Sequence, residues 1–279
     1  MTVTVIGIGL IGGSIAIALK EKGLAQKIIG VETNKEHVRQ ATELGLVDEI
    51  TDLDDAIQQS QLIILAIPVN AVEQLLPRVL DKIDKQVVMD VGSIKEGILL
   101  AIEGHFKRSR FVATHPMWGT EYSGPQAAVK GAFTGKATII CDKHTSDNDA
   151  LELVENLYKE LGMHLVYMNA AEHDLHVAYI SHISHITSFA LANTVLEKER
   201  EEDAIFELAS AGFESTVRLA KSNAAMWVPV LMQNRENVLD VLNEHLSQLR
   251  KFKACLEKEN YGYLQELIEN ANKITKIIK

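Results

Sequence analysis

The sequence is short of several things, and each shortage closes a class of function. It holds two cysteines, Cys141 and Cys255, too far apart for a metal-ligand spacing and too few for a disulfide framework. Both are expected to be reduced and structural, as in a cytoplasmic protein. No apolar run approaches the roughly 20 residues that span a bilayer. The opening MTVTVIGIGLIGGS has no positively charged start, and Gly7, Gly9, Gly12 and Gly13 interrupt its apolar stretch, which argues against a secretory signal. Positive charge is scarce as well: 28 Lys and Arg against 38 Asp and Glu leave a net charge of -10. General binding to nucleic acid or an anionic membrane needs a basic surface, so neither is expected. Any anionic substrate must then be held by a few well-placed cations. Internal repeats, low-complexity linkers and a Pro-rich hinge are also missing.

What is present is enough for two domains: 279 residues, 47% of them hydrophobic. Up to about residue 168 short β-branched runs alternate with amphipathic helical patterns, the signature of βαβ units and a parallel sheet. Strands are expected at Val3–Ile6, Lys27–Val31, Leu62–Ala66, Val87–Val91, Phe111–Ala113, Thr138–Cys141 and His164–Tyr167. From Asn169, a good N-cap, the strand signals stop. Ala170–Glu199 has neither Gly nor Pro and predicts one long, largely buried helix, followed by helical patterns at Ala204–Leu208, Glu214–Ala220, Ala225–Leu256 and Tyr261–Ile278. The expected architecture is α/β: a Rossmann-type doubly wound sheet over residues 1–168, followed by an all-α domain over 169–279 for substrate binding and dimerisation.

Gly7-Ile8-Gly9-Leu10-Ile11-Gly12 directly follows the first strand and opens a helix. Gly7 suits the tight turn, Gly9 the approach of backbone to a pyrophosphate, and Gly12 the close packing of helix on strand. The helix N-terminus offers free N–H groups to phosphates. Glu32 ends the second strand, 32 − 12 = 20 residues after the third glycine, where a carboxylate accepts hydrogen bonds from ribose hydroxyls. It also repels a 2′-phosphate, so NAD is expected over NADP, although Lys35 nearby carries the opposite charge.

Ligands of such sheets gather at the carboxyl ends of the strands. Three segments sit there: Ala66-Ile67-Pro68-Val69, Gly92-Ser93 and His115-Pro116-Met117. Histidine suits removal of an alcohol proton, since a pKa of about 6.5 leaves it mostly neutral at pH 7. Ser93 is a candidate to hydrogen-bond the His115 ring. A packed or turn histidine is the competing reading.

Over nearly its whole length the chain resembles the prephenate and arogenate dehydrogenases of tyrosine biosynthesis. The resemblance rests on Gly7–Ser14, Asp90–Lys95, Thr114–Gly124, His173-Asp174 with Ser181–His185, and Gly212-Phe213 through Thr216-Val217-Arg218 to Trp227. It implies that His115 takes the ring-hydroxyl proton as hydride leaves for NAD, with Ser93 orienting His115 and touching the nicotinamide. Carbon dioxide is then lost. It further implies that Thr120 and Glu121 line or gate the substrate pocket, that His182 and His185 face the substrate, and that Arg218 anchors a carboxylate. The cofactor set is Gly7, Ile8, Gly9, Leu10, Ile11, Gly12, Glu32, Ile67, Pro68 and Ser93. Trp118, Tyr122 and Ser184 depart from the family pattern, which bears on the choice of prephenate or arogenate.

His173, His176, His182 and His185 invite a metal reading. At 100° per residue His182 and His185 fall opposite His173 and His176 on one straight helix, so no metal is expected. The apolar surface of the helical segment points to a homodimer. The chain shows no ββαβ-like sensing segment after its helices, so any tyrosine feedback is expected at the active site. A β-hydroxyacid-dehydrogenase-like enzyme, with a lysine as acid/base, and an NAD-binding sensor without turnover are the competing functions.

Overall fold

The computed structural model describes residues 1–199 and 209–277; the expected helix at Ala204–Leu208 lies outside them. Eight strands form one sheet: β1 (Thr2–Ile6), β2 (Lys27–Val31), β3 (Glu49–Ile50), β4 (Leu62–Leu65), β5 (Val87–Asp90), β6 (Phe111–Pro116), β7 (Ala137–Cys141) and β8 (His164–Met168). Their order is β3-β2-β1-β4-β5-β6-β7-β8. Neighbours are parallel except β6 and β7, so the last two strands run against the other six. β3 is the strand that the sequence pattern did not show. Two residues paired with Ile29 and Gly30 are too short to leave a period.

The sheet is covered on both faces by α1 (Leu10–Glu21), α2 (Lys35–Glu43), α3 (Leu53–Gln59), α4 (Val69–Lys82), α5 (Glu96–Leu100) and α6 (Asn148–Glu160). β4 shows why its run is apolar throughout. Leu62 and Ile64 pack with Val3, Val5 and the α1 residues Ile15 and Leu19, whereas Ile63 and Leu65 pack with Val88 and the α4 residues Val72, Leu76 and Val79. Successive side chains point to opposite faces, and both faces are core.

Beyond β8 come α7 (Ala170–Val177), α8 (Ile183–Glu199), α9 (Ala211–Val217) and α10 (Ala224–Gln233). Asn169 caps α7 in a reciprocal box with Glu172. The single long helix expected here is interrupted by a π-helical turn at Ala178–His182, and in α8 only Ser188 is fully buried. Freedom from Gly and Pro marks helix propensity; it carries no mark of a shift to i→i+5 bonding or of what will cover a face. The pattern expected as one helix from Ala225 likewise breaks at Asn234.

Met1–Asn234 is one compact unit. Arg235–Lys279 is a second, in which α11 (Arg235–Glu257) packs on α12 (Tyr261–Asn272), with the Asn260 side chain accepting from the Tyr263 N–H at the start of α12. Among the described residues no helix is long and apolar enough to cross a membrane.

Candidate active site

The strand order reverses between β1 and β4, and a cleft of about 570 Å³ opens at that point. Gly7, Gly9, Glu32, Ile67 and Pro68 line it, with His37 and Arg78 farther along. The three glycines divide their tasks. Gly7 turns the chain at φ +89°, where a Cβ would lie 2.5 Å from the Ala66 carbonyl oxygen. At Gly12 a Cβ would meet the Gly7 carbonyl oxygen at 2.0 Å, so this residue lets α1 sit on β1. At Gly9 a Cβ would meet nothing within 4 Å, so the space above it on the cleft is open. Gly9 caps α1 without a side-chain bond, leaving the N–H groups of Leu10, Ile11 and Gly12 without intrahelical acceptors. The Glu32 carboxylate accepts from the backbone N–H groups of Ile8 (3.1 Å), Thr33 (2.8 Å) and Asn34 (2.9 Å), so it is a fixed negative charge on the cleft wall. Free helical N–H groups, room above Gly9 and a fixed acceptor for ribose hydroxyls fit a dinucleotide.

The second half of the site is built from imidazoles. His115 stands near the end of β6, opposite Ile139 of β7. Its Nδ1 lies 2.8 Å from His173 Nε2, and the rings meet edge to face at 74°. His173 Nδ1 lies 2.7 Å from Asp174 Oδ1. The Asp174 carboxylate also accepts from the backbone N–H groups of Lys95 (2.8 Å) and Glu96 (2.9 Å) at the head of α5. Asn234 donates its side-chain amide to the Asp174 carbonyl at 2.7 Å and to His182 Nδ1 at 3.2 Å. His182 meets Trp227 edge to face, and Trp227 stacks on His185 at 3.5 Å between centroids. Arg218, on the turn after α9, binds Glu121 at 2.7 Å, and its charge reaches His185.

A circuit of contacts closed by one through-space interaction therefore runs out from β6 through His115, His173, Asp174, Asn234, His182 and Trp227 to His185, which feels the charge of Arg218 without a bond to it, and back from Arg218 through Glu121 on the loop that follows β6. Burial pushes the pKa of His115 well below its usual value, and the Lys95 charge acts in the same direction. His182 is pushed down to about 4 by burial. Both rings are neutral at pH 7. Glu121 is held below the usual carboxylate range by its own backbone N–H and by Arg218.

The structure brings together His115, His182, His185, Arg218 and Glu121 on the circuit, and Gly7, Gly9, Glu32, Ile67 and Pro68 on the cleft. Ile8 serves the cleft through its N–H to Glu32, while Leu10, Ile11 and Gly12 form the first turn of α1. Two expectations need correction. Among the described residues Ser93 makes no hydrogen bond to His115; the one bonded nitrogen of the ring, Nδ1, goes to His173, brought in by α7. The single straight helix behind the wheel estimate is also not formed: a π-turn at Ala178–His182 lies between His173 and His185, and one Asn234 amide joins His182 to the carbonyl of Asp174. Thr120 is exposed and accepts from the N–H of Tyr122 within its own loop. Trp118 packs against Phe133, and Tyr122 is exposed. Among the described residues no group of three or more His, Cys, Asp or Glu is placed to hold a metal ion.

Sequence reasoning missed the fully buried Asp90–Lys95 ion pair, the bridging role of Asn234 and the stacking of Trp227 on His185. The first had a local signal, since an acid ends a core strand and a lysine follows five residues later. Asn234 had none, lying 60 residues from Asp174 in sequence.

The model for the nucleotide-binding domain of prephenate dehydrogenase matches residues 15–167, and that for the prephenate dehydrogenase dimerization domain matches 169–270. The prephenate dehydrogenase of Bacillus subtilis is 31% identical over 263 residues, covering 93% of this chain and 71% of that protein. The cyclohexadienyl dehydrogenase of Zymomonas mobilis is 27% identical over 99% of this chain and 96% of its own. A crystal structure of prephenate dehydrogenase from Aquifex aeolicus, in complex with hydroxyphenyl propionate and NAD+, matches with a TM-score of 0.91 at 28% identity, covering 100% of this chain and 98% of that one.

Proposed function

From the premise that the chain belongs to the prephenate dehydrogenase family, we infer that it catalyses the NAD-dependent oxidative decarboxylation of prephenate to 4-hydroxyphenylpyruvate, on the route to tyrosine. The observation that carries the reading is the circuit that relates a neutral imidazole, His115, to a guanidinium, Arg218, through the buried ring cluster and the Arg218 charge felt at His185. A base and an anion anchor on one perimeter are what a hydroxylated cyclohexadienyl diacid requires.

NAD, when bound, supplies the hydride acceptor. The rest is the work of side chains. His115 Nε2, which has no partner among the described residues, accepts the proton of the ring hydroxyl as the C–H bond at the same carbon breaks and the C=O bond forms. The ring carboxylate then leaves as carbon dioxide, the electron pair of the broken C–C bond completes the aromatic ring, and the former carbonyl oxygen takes its proton back from His115 to give the phenol. Arg218 holds a substrate carboxylate in exchange for Glu121, which thereby controls access to it. His182 Nδ1 accepts from Asn234, so its Nε2 carries the proton; that buried nitrogen has no partner and is a donor for a substrate oxygen. His185 Nδ1 donates to the Ser181 carbonyl at 3.1 Å, which leaves its Nε2 as an acceptor. Ser93, in the turn after β5, acts on the nicotinamide side, and Thr120 on the loop that carries Glu121.

The test is direct. Prephenate and NAD should give NADH and carbon dioxide in equal amounts, with NAD preferred to NADP because Glu32 is fixed in place. Binding of NAD without NADH formation from prephenate would leave the non-catalytic reading standing. Arogenate, run in parallel, should be the poorer substrate.

The same reading includes a boundary between a nucleotide-binding part ending at residue 168 and a helical part from 169, a cytoplasmic location, and a homodimer formed through the helices. Exposed Ile180, Leu196, Val228 and Met232 favour the dimer. A monomeric mass in light scattering would exclude it.

A further inference from the structure

His173 bonds the ring of the proposed base at Nδ1 and Asp174 bonds His173 in turn, and among the described residues this is the only hydrogen-bonded connection of the His115 ring to the protein. Their geometry determines where the protons sit. Asp174 Oδ1 already accepts from the Lys95 N–H, and Oδ2 from the Glu96 N–H. Carboxylate oxygens accept only. The third contact, His173 Nδ1 at 2.7 Å from Oδ1, must therefore be a donation from the ring, so the His173 proton is on Nδ1. Burial keeps this ring neutral, lowering its pKa below the usual value, so His173 Nε2 is a lone pair. His115 Nδ1 faces that lone pair at 2.8 Å and must carry a proton to form the bond. One ring has then a single proton to place, and it is spoken for. His115 Nε2 is left bare.

We propose that His173 and Asp174 are positioning residues: by two successive hydrogen bonds they impose on His115 the Nδ1–H tautomer and so leave Nε2 as the proton acceptor of the reaction. The proposal rests on the function inferred above for its catalytic consequence, though the tautomer itself does not depend on it. A histidine free in water prefers its proton on Nε2, the form that cannot accept at that atom. The cluster reverses this preference with neutral groups pointed by a carboxylate that is itself held by the backbone at the head of α5 and, through its carbonyl, by Asn234. Second partners of this type fix the tautomer of catalytic and metal-binding histidines in general. Here the intermediary is a second imidazole, which lets a carboxylate on α7 orient a base on β6 without contacting it. The same arrangement explains what a buried His-Asp pair is for at this place: neither residue reaches the nucleotide cleft lining.

The rival arrangement is a protonated His173, sharing its charge with Asp174 and donating from Nε2 to His115. It would place the His115 proton on Nε2. The two are told apart by long-range proton–nitrogen NMR on the full-length protein labelled with ¹⁵N-histidine and saturated with NAD, the His115 signals being assigned by their loss in His115→Asn. The expected result is a neutral His115 with a protonated Nδ1 and an unprotonated Nε2. A His115 protonated on Nε2 at pH 7.5 overturns the proposal.

Kinetics give the second arm. In His173→Leu the acceptor for His115 Nδ1–H is gone, and kcat should fall roughly 10²-fold or more, the size of effect seen when an orienting group behind a catalytic histidine is lost. The KM for NAD and the affinity for NAD should stay near the parent values. His173→Gln, whose amide oxygen can accept in the same direction, should recover a substantial part of kcat. A merely structural His173 predicts otherwise: parallel losses of kcat and NAD affinity, with no difference between Leu and Gln once both variants are folded, and that result also overturns the proposal. Should prephenate give no NADH while His115 still shows the Nδ1–H form, the inferred function fails and the positioning chain stands.

Discussion

The nucleotide cleft and the imidazole cluster lie on one sheet but are made from different materials. The cleft is mostly main chain: three glycines, the unpaired N–H groups of a helix turn, and a carboxylate held by backbone donors. Its parts come from Ile6 to Arg78, a stretch in which strand, turn and helix follow each other, and it is open. The cluster is side chain on side chain, drawn from residues 90 to 234, and its polar groups are buried in neutral or paired form. The cleft can tolerate change wherever no atom stands nearby, whereas in the cluster each buried polar group depends on its neighbour, and removal of one strands another.

The sharpest way to break this contrast is His115→Asn. With the general base gone, kcat should fall by about 10²- to 10⁴-fold, while NAD binding measured by fluorescence titration stays within a factor of two or so. An active variant would mean that another residue takes the proton. Lys95→Met should act on stability instead, because it leaves Asp90 a fully buried and unpaired charge; a loss of about 3–5 kcal/mol in denaturant unfolding is expected. A loss below 1 kcal/mol would mean that Asp90 is satisfied by the Gly92 and Thr114 N–H groups alone.

Arg218→Ala tests the far side of the circuit. It should raise the KM for prephenate about 10- to 100-fold, as expected for the loss of one or two charge-assisted hydrogen bonds worth about 1.5–3 kcal/mol, and leave the KM for NAD alone. The glycines give a paired comparison on the cleft side. Gly12→Ala forces a methyl group against the Gly7 carbonyl and should cost roughly 1–3 kcal/mol of stability. Gly9→Ala should leave the melting temperature unchanged and weaken NAD by roughly tenfold, about 1.4 kcal/mol. Equal melting temperatures for the two would contradict the division of labour between them.

The smallest expected effect is on pH. A base must be unprotonated to act, and burial lowers the pKa of His115, so its working form persists on the acid side of the ordinary histidine value. The value of kcat/KM should be flat from pH 8 down through about 6.5, the unperturbed histidine pKa, and fall only below it. A limb at or above that value would mean that the ring is solvated in the working enzyme.

How much of this was legible beforehand follows from the same contrast. Seven strands, the glycine turn and Glu32 could be read, since each is announced within a few residues by period or by composition. His115 was a candidate from its place at the end of a strand and received its role through resemblance; Arg218, His182 and His185 were reached through resemblance alone, and spacing would have left them as ordinary polar residues. β3 was too short to register. The long helix from Ala170 was read as unbroken, since a π-turn has no sequence mark in a segment without Gly or Pro. That turn removed the single straight helix on which the helical-wheel estimate for the four histidines rested.

By itself the sequence determined that strands would alternate with helices up to β8, that a dinucleotide would meet a glycine turn, and which acid would stand beside it, because these depend on backbone conformation and on contacts between near neighbours. The tertiary structure alone decided which nitrogen of His115 is bare, what stands behind it, and that Asn234 ties Asp174 to His182. Those facts hang on hydrogen bonds between residues 52 to 79 positions apart, each correct only when α7, β6, the head of α5 and the end of α10 are packed to within a few tenths of an ångström.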